Sequence, residues 1–508
     1  MKFFHHVDRT SRLFSGLFPY PLTSNLPVFP TSFVPVVFFL ILSLVALEGC
    51  ASHLSYYDKL SLSLDQGDAE KADQIVAASK SYYGSTSKLL YLMDRGMTLH
   101  LAGHYEKSEK FLEEANEMVD DLYTRHLHNE ALSLLVNDTK RPFRGDPYEQ
   151  VLINVINALN YARVEELEEA LVEARRVDHR LNVLADTVEE QDYHDDPFAR
   201  YLSGVLYEAN GDLNNAFVAY RNAYEAYQQN QTWLEVPIPH RVKLDLLRIT
   251  QRLNLTQEHA EYLQSFPEIS WRPPSTNDQA EIVVISYLGQ APRLEDRFID
   301  VPISLDALAL LLYTKPLGRG QPQRAGGGDA VLYGLQGEIV RISLPRVVPQ
   351  KTHVEYGQVA VVREGNQETH RTELMENVTA AAKKNLADRL PSVTMRAVAR
   401  AALKLSTAEG IGYGVSAVGK DDETRNLIHG VVSTLLKVLF ITTEEADKRS
   451  WRTLPDKIHV SRFSVPSGSM TLTYQSLGQH GERIGAPVEY PMILQPGETR
   501  FLTVYTAE

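Results

Sequence analysis

A repeated spacing of small residues in the first half of the chain constrains its fold more than any other feature. In the clearest copy, Gly204 stands seven positions before a turn glycine, Gly211, and Ala216, Tyr220 and Ala223 follow. A glycine in the left-handed conformation ends one helix, and small side chains let two helices cross closely where large ones would not fit. The spacing therefore predicts antiparallel helix pairs joined by short turns, with Ala216 between the two helices.

Three further segments fit the same template less closely. Their aligned residues are Leu60, Gly67, Ala69, Ala72, Val76 and Ser79; Gly96, Leu99, Gly103, Tyr105, Ser108, Leu112 and Ala115; and Ala158, Tyr161, Leu167, Ala170, Ala174 and Val177, where Glu165 replaces the turn glycine. The pattern resembles the tetratricopeptide repeat, a helix-turn-helix unit of about 34 residues. The alternative is a set of ordinary antiparallel helices with chance spacing. We predict a mainly α repeat domain over 50–270, capped by helices at 241–253 and 257–266.

The second half changes character after Pro267, Pro273 and Pro274. Strand-like runs occupy 281–287, 338–345, 358–362, 457–465, 469–475, 487–494 and 499–506, and helical runs occupy 305–313, 377–390, 394–405 and 426–442. We predict an α+β domain over 277–508 that ends in antiparallel β hairpins. Within 457–465, the apolar residues change parity between Val460 and Phe463, which predicts a β-bulge.

The first fifty residues contain one apolar run that is followed closely by a cysteine. An apolar run at 33–47 is too short for a typical membrane span but suits a signal peptide, and the chain's one cysteine, Cys50, follows it closely. The segment 47–50 resembles a lipobox, in which the cysteine receives diacylglycerol. We predict a signal peptide over 1–49, a lipid on Cys50 and, because Ala51 rather than aspartate follows, an outer-membrane location facing the periplasm. The alternatives are a buried cysteine or an uncleaved anchor.

Two stretches, 148–178 and 446–471, resemble an uncharacterised family of bacterial lipoproteins that couples tetratricopeptide-like repeats to an α+β domain. The resemblance implies this architecture and an envelope location, and it supplies no catalytic residues. Trp451, in the second stretch, is predicted to anchor the core of the C-terminal domain.

Composition excludes several classes of function. The chain of 508 residues has 51 basic and 65 acidic side chains, which gives a net charge of −14. Proteins that bind nucleic acid usually carry a basic surface, and this composition does not indicate one. One cysteine excludes an intrachain disulfide framework. The segment 414–421 approaches a phosphate-binding loop, but Asp421 stands where a hydroxyl residue is required. We predict no cofactor, no metal site and no catalytic residues.

Two hypotheses of function remain. In the first, a protein-binding scaffold or adaptor uses the groove face of the repeats, defined by residues expected on the first helix of three units: Leu90, Met93, Met97, His100, Leu152, Val155, Leu159, Arg163, Phe198, Tyr201, Val205 and Glu208. The C-terminal domain or the chain's own cap could instead fill this groove. In the second, the chain is an envelope enzyme or enzyme activator with a ligand site in the α+β domain. Arg396, Arg400 and Lys404, on one helix face, form a candidate anion patch.

Overall fold

The computed structural model describes residues 55–126, 138–187, 195–271, 279–302, 339–363, 366–416 and 445–507, together with 421, 422, 425, 426, 429 and 432. The predicted signal peptide 1–49, Cys50, the helix 305–313 and most of the helix 426–442 lie outside these residues.

The first half of the described chain is helical throughout. Its helices are α1 Ser55–Asp65, α2 Ala69–Ala78, α3 Lys80–Tyr83, α4 Lys88–Leu101, α5 Tyr105–His126, α6 Pro147–Arg163, α7 Leu167–Thr187, α8 Pro197–Ala209, α9 Leu213–Leu234, α10 His240–Arg252 and α11 Thr256–Ser265. Helices α4–α5, α6–α7, α8–α9 and α10–α11 pack as hairpins, whereas α2 packs on α4. The helical repeat architecture predicted from the sequence is confirmed.

The turn residues lie where the template places them. Gly103, Glu165 and Gly211, each between the two helices of a hairpin, have left-handed backbones with φ of 79°, 66° and 82°, and Gly67, between α1 and α2, has φ 69°. The segment around Gly67 does not form a hairpin, because α2 packs on α4. The helices predicted as a cap form another hairpin of the same kind, in which Asn254 has φ 56°. Asparagine tolerates this conformation better than most residues, but a template built on glycine does not detect it.

Close helix crossings explain the small residues of the repeats. A Cβ atom added to Gly96 would lie 2.3 Å from Leu112, and one added to Gly204 would lie 2.5 Å from the ring of Tyr220. Ala216, predicted between α8 and α9, is fully buried. The template therefore reports real interhelix contacts.

The second half of the described chain forms three sheets and a long helix. Its elements are β1 Gln279–Leu288, β2 Arg293–Pro302, β3 Ile339–Val348, β4 Tyr356–Arg363, β5 Asn366–Arg371, β6 Glu373–Asn377, α12 Val378–Ser416, β7 Lys457–Pro466, β8 Gly468–Leu477, β9 Arg483–Leu494 and β10 Thr499–Thr506. The inner sheet has the order β10-β1-β7-β6, the outer sheet has the order β5-β4-β8-β9, and β2 pairs with β3.

Three predictions about this half need correction. Only β8 and β9 form a predicted antiparallel hairpin, because β7 belongs to the inner sheet and β10 pairs in parallel with β1. The two helices expected at 377–390 and 394–405 are one helix, α12, which contains Pro391. Proline removes one backbone hydrogen bond, and the alanine-rich sequence on both sides continues the helix across it.

The third correction concerns β7. Its pairing with β1 is continuous, and the irregularity lies on β6, between Leu374 and Glu376. Both faces of β7 are buried, so apolar side chains on either face contact a hydrophobic core. Val460 packs with the helices, and Phe463 packs with the outer sheet. A strand buried on both faces loses simple alternation, and no bulge is needed.

The inner sheet lies between the helices and the outer sheet. Val283, Ile285 and Tyr287 of β1 belong to the same hydrophobic cluster as the repeat helices, whereas Ile282 and Val284 pack against the outer sheet. Residues Tyr56–Glu508 accordingly form one compact unit. The repeats and the α+β half share a core.

Candidate functional site

The groove face of the repeats is buried within the molecule. Eleven of its residues are buried: Leu90, Met93, Met97, His100, Leu152, Val155, Leu159, Phe198, Tyr201, Val205 and Glu208; Arg163 is half-buried. In the structure, the C-terminal half covers the groove at His100 and Glu149, and the cap helix α10 covers it at Tyr201 and Glu208. Binding of a partner along these residues would require that half to move away.

The inner sheet satisfies the polar groups of the groove. His100 Nε2 lies 3.1 Å from the Tyr287 hydroxyl, and its Nδ1 lies 2.6 Å from Asn160 Oδ1. Burial lowers the pKa of His100 to about 4, so its ring is neutral at pH 7. Arg163 donates to the Phe501 carbonyl of β10. These contacts hold β1 and β10 on α4 and α6.

An irregular segment, 446–456, lies on the first helices of two repeats. The Trp451 backbone N–H donates to Glu149 Oε1 at 2.6 Å, and the Thr453 hydroxyl donates to Asp94 Oδ1 at 2.9 Å. Arg449 Nη1 donates to two backbone carbonyls that precede α4 and α6. Trp451 is fully buried, as predicted, but its anchorage is on a repeat helix. The repeats thus hold a stretch of their own chain.

The two carboxyl groups that hold this segment have raised pKa values. Burial raises the pKa of Asp94 to about 7. Burial, followed by the nearby charge of Asp146, raises the pKa of Glu149 to about 8. Both groups retain a proton in part or in full near neutral pH, because burial disfavours the charged form.

A buried ionic cluster joins the repeats to the inner sheet. Arg462 of β7 lies at its centre, with no exposed side-chain surface, and its Nη2 lies 2.9 Å from Glu208 Oε2 and 2.6 Å from Glu281 Oε2. Arg248 of α10 reaches the same two carboxylates at 2.7 and 2.6 Å. Asp245 is the third carboxylate, 3.2 Å from Arg462 Nη1. Arg241 and Arg252 complete the cluster.

Each of the three carboxylates in the cluster contacts at least two of the four guanidinium groups. Burial alone would raise the pKa of Glu281, but Arg248 and Arg462 hold it at about 2. Guanidinium groups likewise hold the pKa of Asp245 below its usual value against the effect of burial. We assign the cluster a structural role in joining the two halves. The sequence identified Glu208 as a groove residue and gave no signal for Arg462, which lies 254 positions away.

The middle residue of the candidate anion patch, Arg400, is not exposed to solvent. Arg400 is buried, Arg396 is half-buried with its Nη1 3.5 Å from Ser392 Oγ, and the Lys404 side chain lies outside the described side chains. Next to Arg400, Ala397 and Ala401 pack on β3. An anion would therefore not reach Arg400 in this arrangement.

A cleft that the sequence did not predict lies where the chain passes from the outer to the inner sheet. There β5 turns through Thr372 into β6, and β7 and the start of α10 form the other walls. We call this the corner cleft; its volume is about 830 Å³. It is assembled from four separate parts of the chain, including Glu355 before β4, so no local motif could have indicated it.

The walls of the corner cleft contain a buried histidine and an aromatic stack. His459 is 5% exposed, its Nδ1 lies 3.3 Å from Thr372 Oγ1, and its Nε2 has no hydrogen-bond partner among the described residues. Burial lowers the pKa of His459 to about 3, so the ring is neutral. His370 stacks on Phe463 with 3.8 Å between ring centres. Arg371 lies over the ring of Tyr356.

The described residues offer no metal centre or membrane span. No group of three or more His, Cys, Asp or Glu among them could hold a metal ion. None of the helices in these ranges combines the length and the apolar character needed to cross a bilayer. In the acidic loop before α8, Asp196 is the helix cap, its side chain accepting from the Ala199 N–H at 2.8 Å.

No known protein family and no curated protein matches the chain. Among solved structures, it is similar to MamA residues 41 to end from Desulfovibrio magneticus RS-1, with 14% identity, 43% of this chain and 94% of that chain covered, and a TM-score of 0.28. It is also similar to a putative kinesin light chain from Podosopora anserina with nearly identical TPR-like repeats, with 16% identity, 42% of this chain and 92% of that chain covered, and a TM-score of 0.30. A third similar structure is BtubC from P. vanneervenii, with 13% identity, 46% of this chain and 89% of that chain covered, and a TM-score of 0.32. At such scores the assignment of the repeats rests on the hairpin geometry described above.

Proposed function

We propose that this protein is a lipid-anchored scaffold or adaptor of the bacterial cell envelope, located at the outer membrane and facing the periplasm. In this proposal the repeats hold the protein's own C-terminal half, and a protein partner binds on outward surfaces. The observation that carries the proposal is the seating of segment 446–456 on the first helices of the repeats.

The contacts of this segment support a role of the groove in holding an extended chain. Glu149 accepts from the backbone N–H of Trp451, and Arg449 donates to backbone carbonyls of the repeat domain. Main-chain recognition of an extended segment is a common mode of peptide binding. Because the groove is occupied within the chain, we expect a separate partner to contact other surfaces, such as the second helices of the hairpins.

The lipid anchor is tested by labelling. Cells that express the wild-type protein should incorporate palmitate into it, and Cys50→Ser should abolish the label and release the protein from the membrane fraction. Label that persists in Cys50→Ser would contradict the anchor.

The partner surface is tested with a photo-crosslinking residue placed singly at defined positions. Val172 on α7 and Val218 on α9 are 43% and 42% exposed, so crosslinkers there should trap a partner in intact cells. Met97, fully buried in the groove, is the matched internal position and should trap only the protein's own C-terminal half. Capture of a partner at Met97 alone would show that the groove opens and would overturn the proposal.

The second candidate is an envelope enzyme or enzyme activator with a ligand site in the C-terminal half. The corner cleft favours a ligand there, but its chemistry favours binding over catalysis. Ser461 and Ser464 line the cleft, and among the described residues neither is hydrogen-bonded to His459 or His370. Without a base beside it, a serine hydroxyl is a weak nucleophile.

A further inference from the structure

We propose that the free edge of β5, where it borders the corner cleft, is a docking site for an extended segment of a protein partner, which adds to the outer sheet as a further strand. The site goes beyond the scaffold role proposed above, because it places recognition on the α+β half. It depends neither on the lipid anchor nor on the outward helix surfaces.

The hydrogen bonds at the end of β5 show which of its main-chain groups point away from the sheet. The Thr372 N–H donates to the Gly357 carbonyl at 2.9 Å, and the Gly357 N–H donates to Thr372 Oγ1 at 2.8 Å, so these two residues face each other. Opposed residues of an antiparallel pair alternate between hydrogen-bonded and non-hydrogen-bonded pairs. The main-chain groups of His370 therefore point toward β4, whereas those of Thr369 and Arg371 point away from it.

The outward main-chain groups of β5 are available for a further strand. β5 is an end strand of the outer sheet, and within the described residues the outward N–H and C=O groups of Thr369 and Arg371 form no hydrogen bond. Both residues line the corner cleft, and Pro237 and Pro239 line it from the segment before α10. Proline has no N–H, so these two positions offer β5 no donor. An open edge of this kind is a template for pairing with another chain.

The opposite edge of the outer sheet is closed to such an addition. β9 contains Pro487 and Pro491, and the alternation of pairs across β4, β8 and β9 places both prolines at positions whose main-chain groups point outward. A proline there removes a donor that a further strand needs. β5 contains no proline. Of the two edges of this sheet, β5 is therefore the one that keeps its outward donors.

The walls of the corner cleft define the partner's segment. Main-chain pairing supplies affinity in strand addition, and pockets for alternate side chains supply specificity. On the face toward the inner sheet, His370 stacks on Phe463, and the half-buried Ile238 and Leu244 line the cleft. Since successive side chains of a strand point to opposite faces, we expect apolar residues at every second position of the added segment.

The site is tested with short random peptides displayed on phage and selected on the wild-type protein. Thr369→Pro removes one outward N–H and keeps the pairing with β4, because proline is accepted on an edge strand where the N–H faces solvent. Thr369→Val is the matched control, since it changes the side chain and retains the N–H. We expect the selected peptides to bind the wild type and Thr369→Val equally, and Thr369→Pro at least about tenfold more weakly.

A change in the peptide keeps the test decisive if Thr369→Pro does not fold. Methyl groups on the main-chain nitrogens of every second peptide residue block one edge of the added strand. One of the two alternate sets should abolish binding, and the other should leave it intact. In hydrogen–deuterium exchange, the peptide should slow the amides of Thr369 and Arg371 and leave that of His370 unchanged, because His370 already faces β4.

Four outcomes would overturn the docking site without bearing on the lipid anchor or the helix surfaces. They are the selection of no peptide, full affinity in a folded Thr369→Pro, equal binding by both methylated forms, and exchange at Thr369 that the peptide does not slow. A concentration-dependent dimer of the protein alone that is lost in Thr369→Pro would assign the edge to a second copy, and would also refute the proposal.

Discussion

Arg462 of β7 and Asp245 of α10 lie 3.2 Å apart, and neither side chain has any exposed surface. Removing two charges from water is costly, so such a pair is weak evidence of net stabilisation. Loss of one partner is a different matter, because the other charge then stays buried and unmatched. The pair thus makes the docking of the inner sheet on the repeats specific to one arrangement.

Arg462→Met should lower the free energy of unfolding by about 3–5 kcal/mol, since it leaves Glu208, Asp245 and Glu281 short of a cation. Chemical denaturation of the protein measures this. The matched control is Arg221→Met, because Arg221 is exposed and its pair with Glu225 is 3.9 Å long; we expect a change within about 0.5 kcal/mol. Equal effects of the two substitutions would contradict the structural role of the cluster.

Stability should depend on the protonation of Asp94. Its pKa is 3.8 as an ordinary side chain and about 7 when folded, so between these values the folded state binds more protons than the unfolded state. The free energy of unfolding therefore falls as pH rises through this window, by up to about 1.4 kcal/mol per pH unit from this group.

Asp94→Asn removes this titration, and the pH profile of stability from denaturant melts should become flatter. Asp58→Asn, which changes an exposed aspartate on α1, should keep the wild-type slope. A slope unchanged in Asp94→Asn would show that Asp94 is ionised in the folded protein.

The crossing of α8 and α9 should not accept a methyl group. Gly204→Ala would place Cβ 2.5 Å from the Tyr220 ring, and that ring is held in place because its hydroxyl donates to Glu208 at 2.8 Å. We expect a loss of about 1–3 kcal/mol from overpacking, seen as a lower Tm. Asn214→Ala, at an exposed position on α9, is the control and should melt near the wild-type temperature.

Because the groove is filled, replacing a large groove side chain by a small one should lower the stability of the fold. Met97→Ala and Tyr201→Ala should each destabilise the fold by about 2–5 kcal/mol, because both side chains are buried. Crosslinking of a partner at Val218 should persist at temperatures where the variants remain folded. Loss of crosslinking with wild-type stability would instead identify an open groove.

The sequence by itself determined the local architecture. A left-handed turn residue acts through its own backbone, so Gly103 and Gly211 could be located without knowledge of any neighbour. Small residues such as Gly204 report a close contact whose partner, Tyr220, is sixteen positions away on the next helix. The apolar run of β1 also predicted a strand from local sequence, because a strand that is buried on both faces has apolar residues at successive positions.

Three features depend on the tertiary structure alone. They are the residues that cover the groove, the ion-pair partners of Arg462 and the corner cleft. Arg462 and Glu208 are 254 positions apart, and His459 and Thr372 are 87 positions apart, so no local spacing could pair them. The position of Trp451 illustrates the difference: its size indicated burial, but only the packing of the two halves placed its backbone on Glu149. Residue type and spacing specify turns and helix contacts through short-range forces, whereas the match between distant surfaces depends on the complete fold.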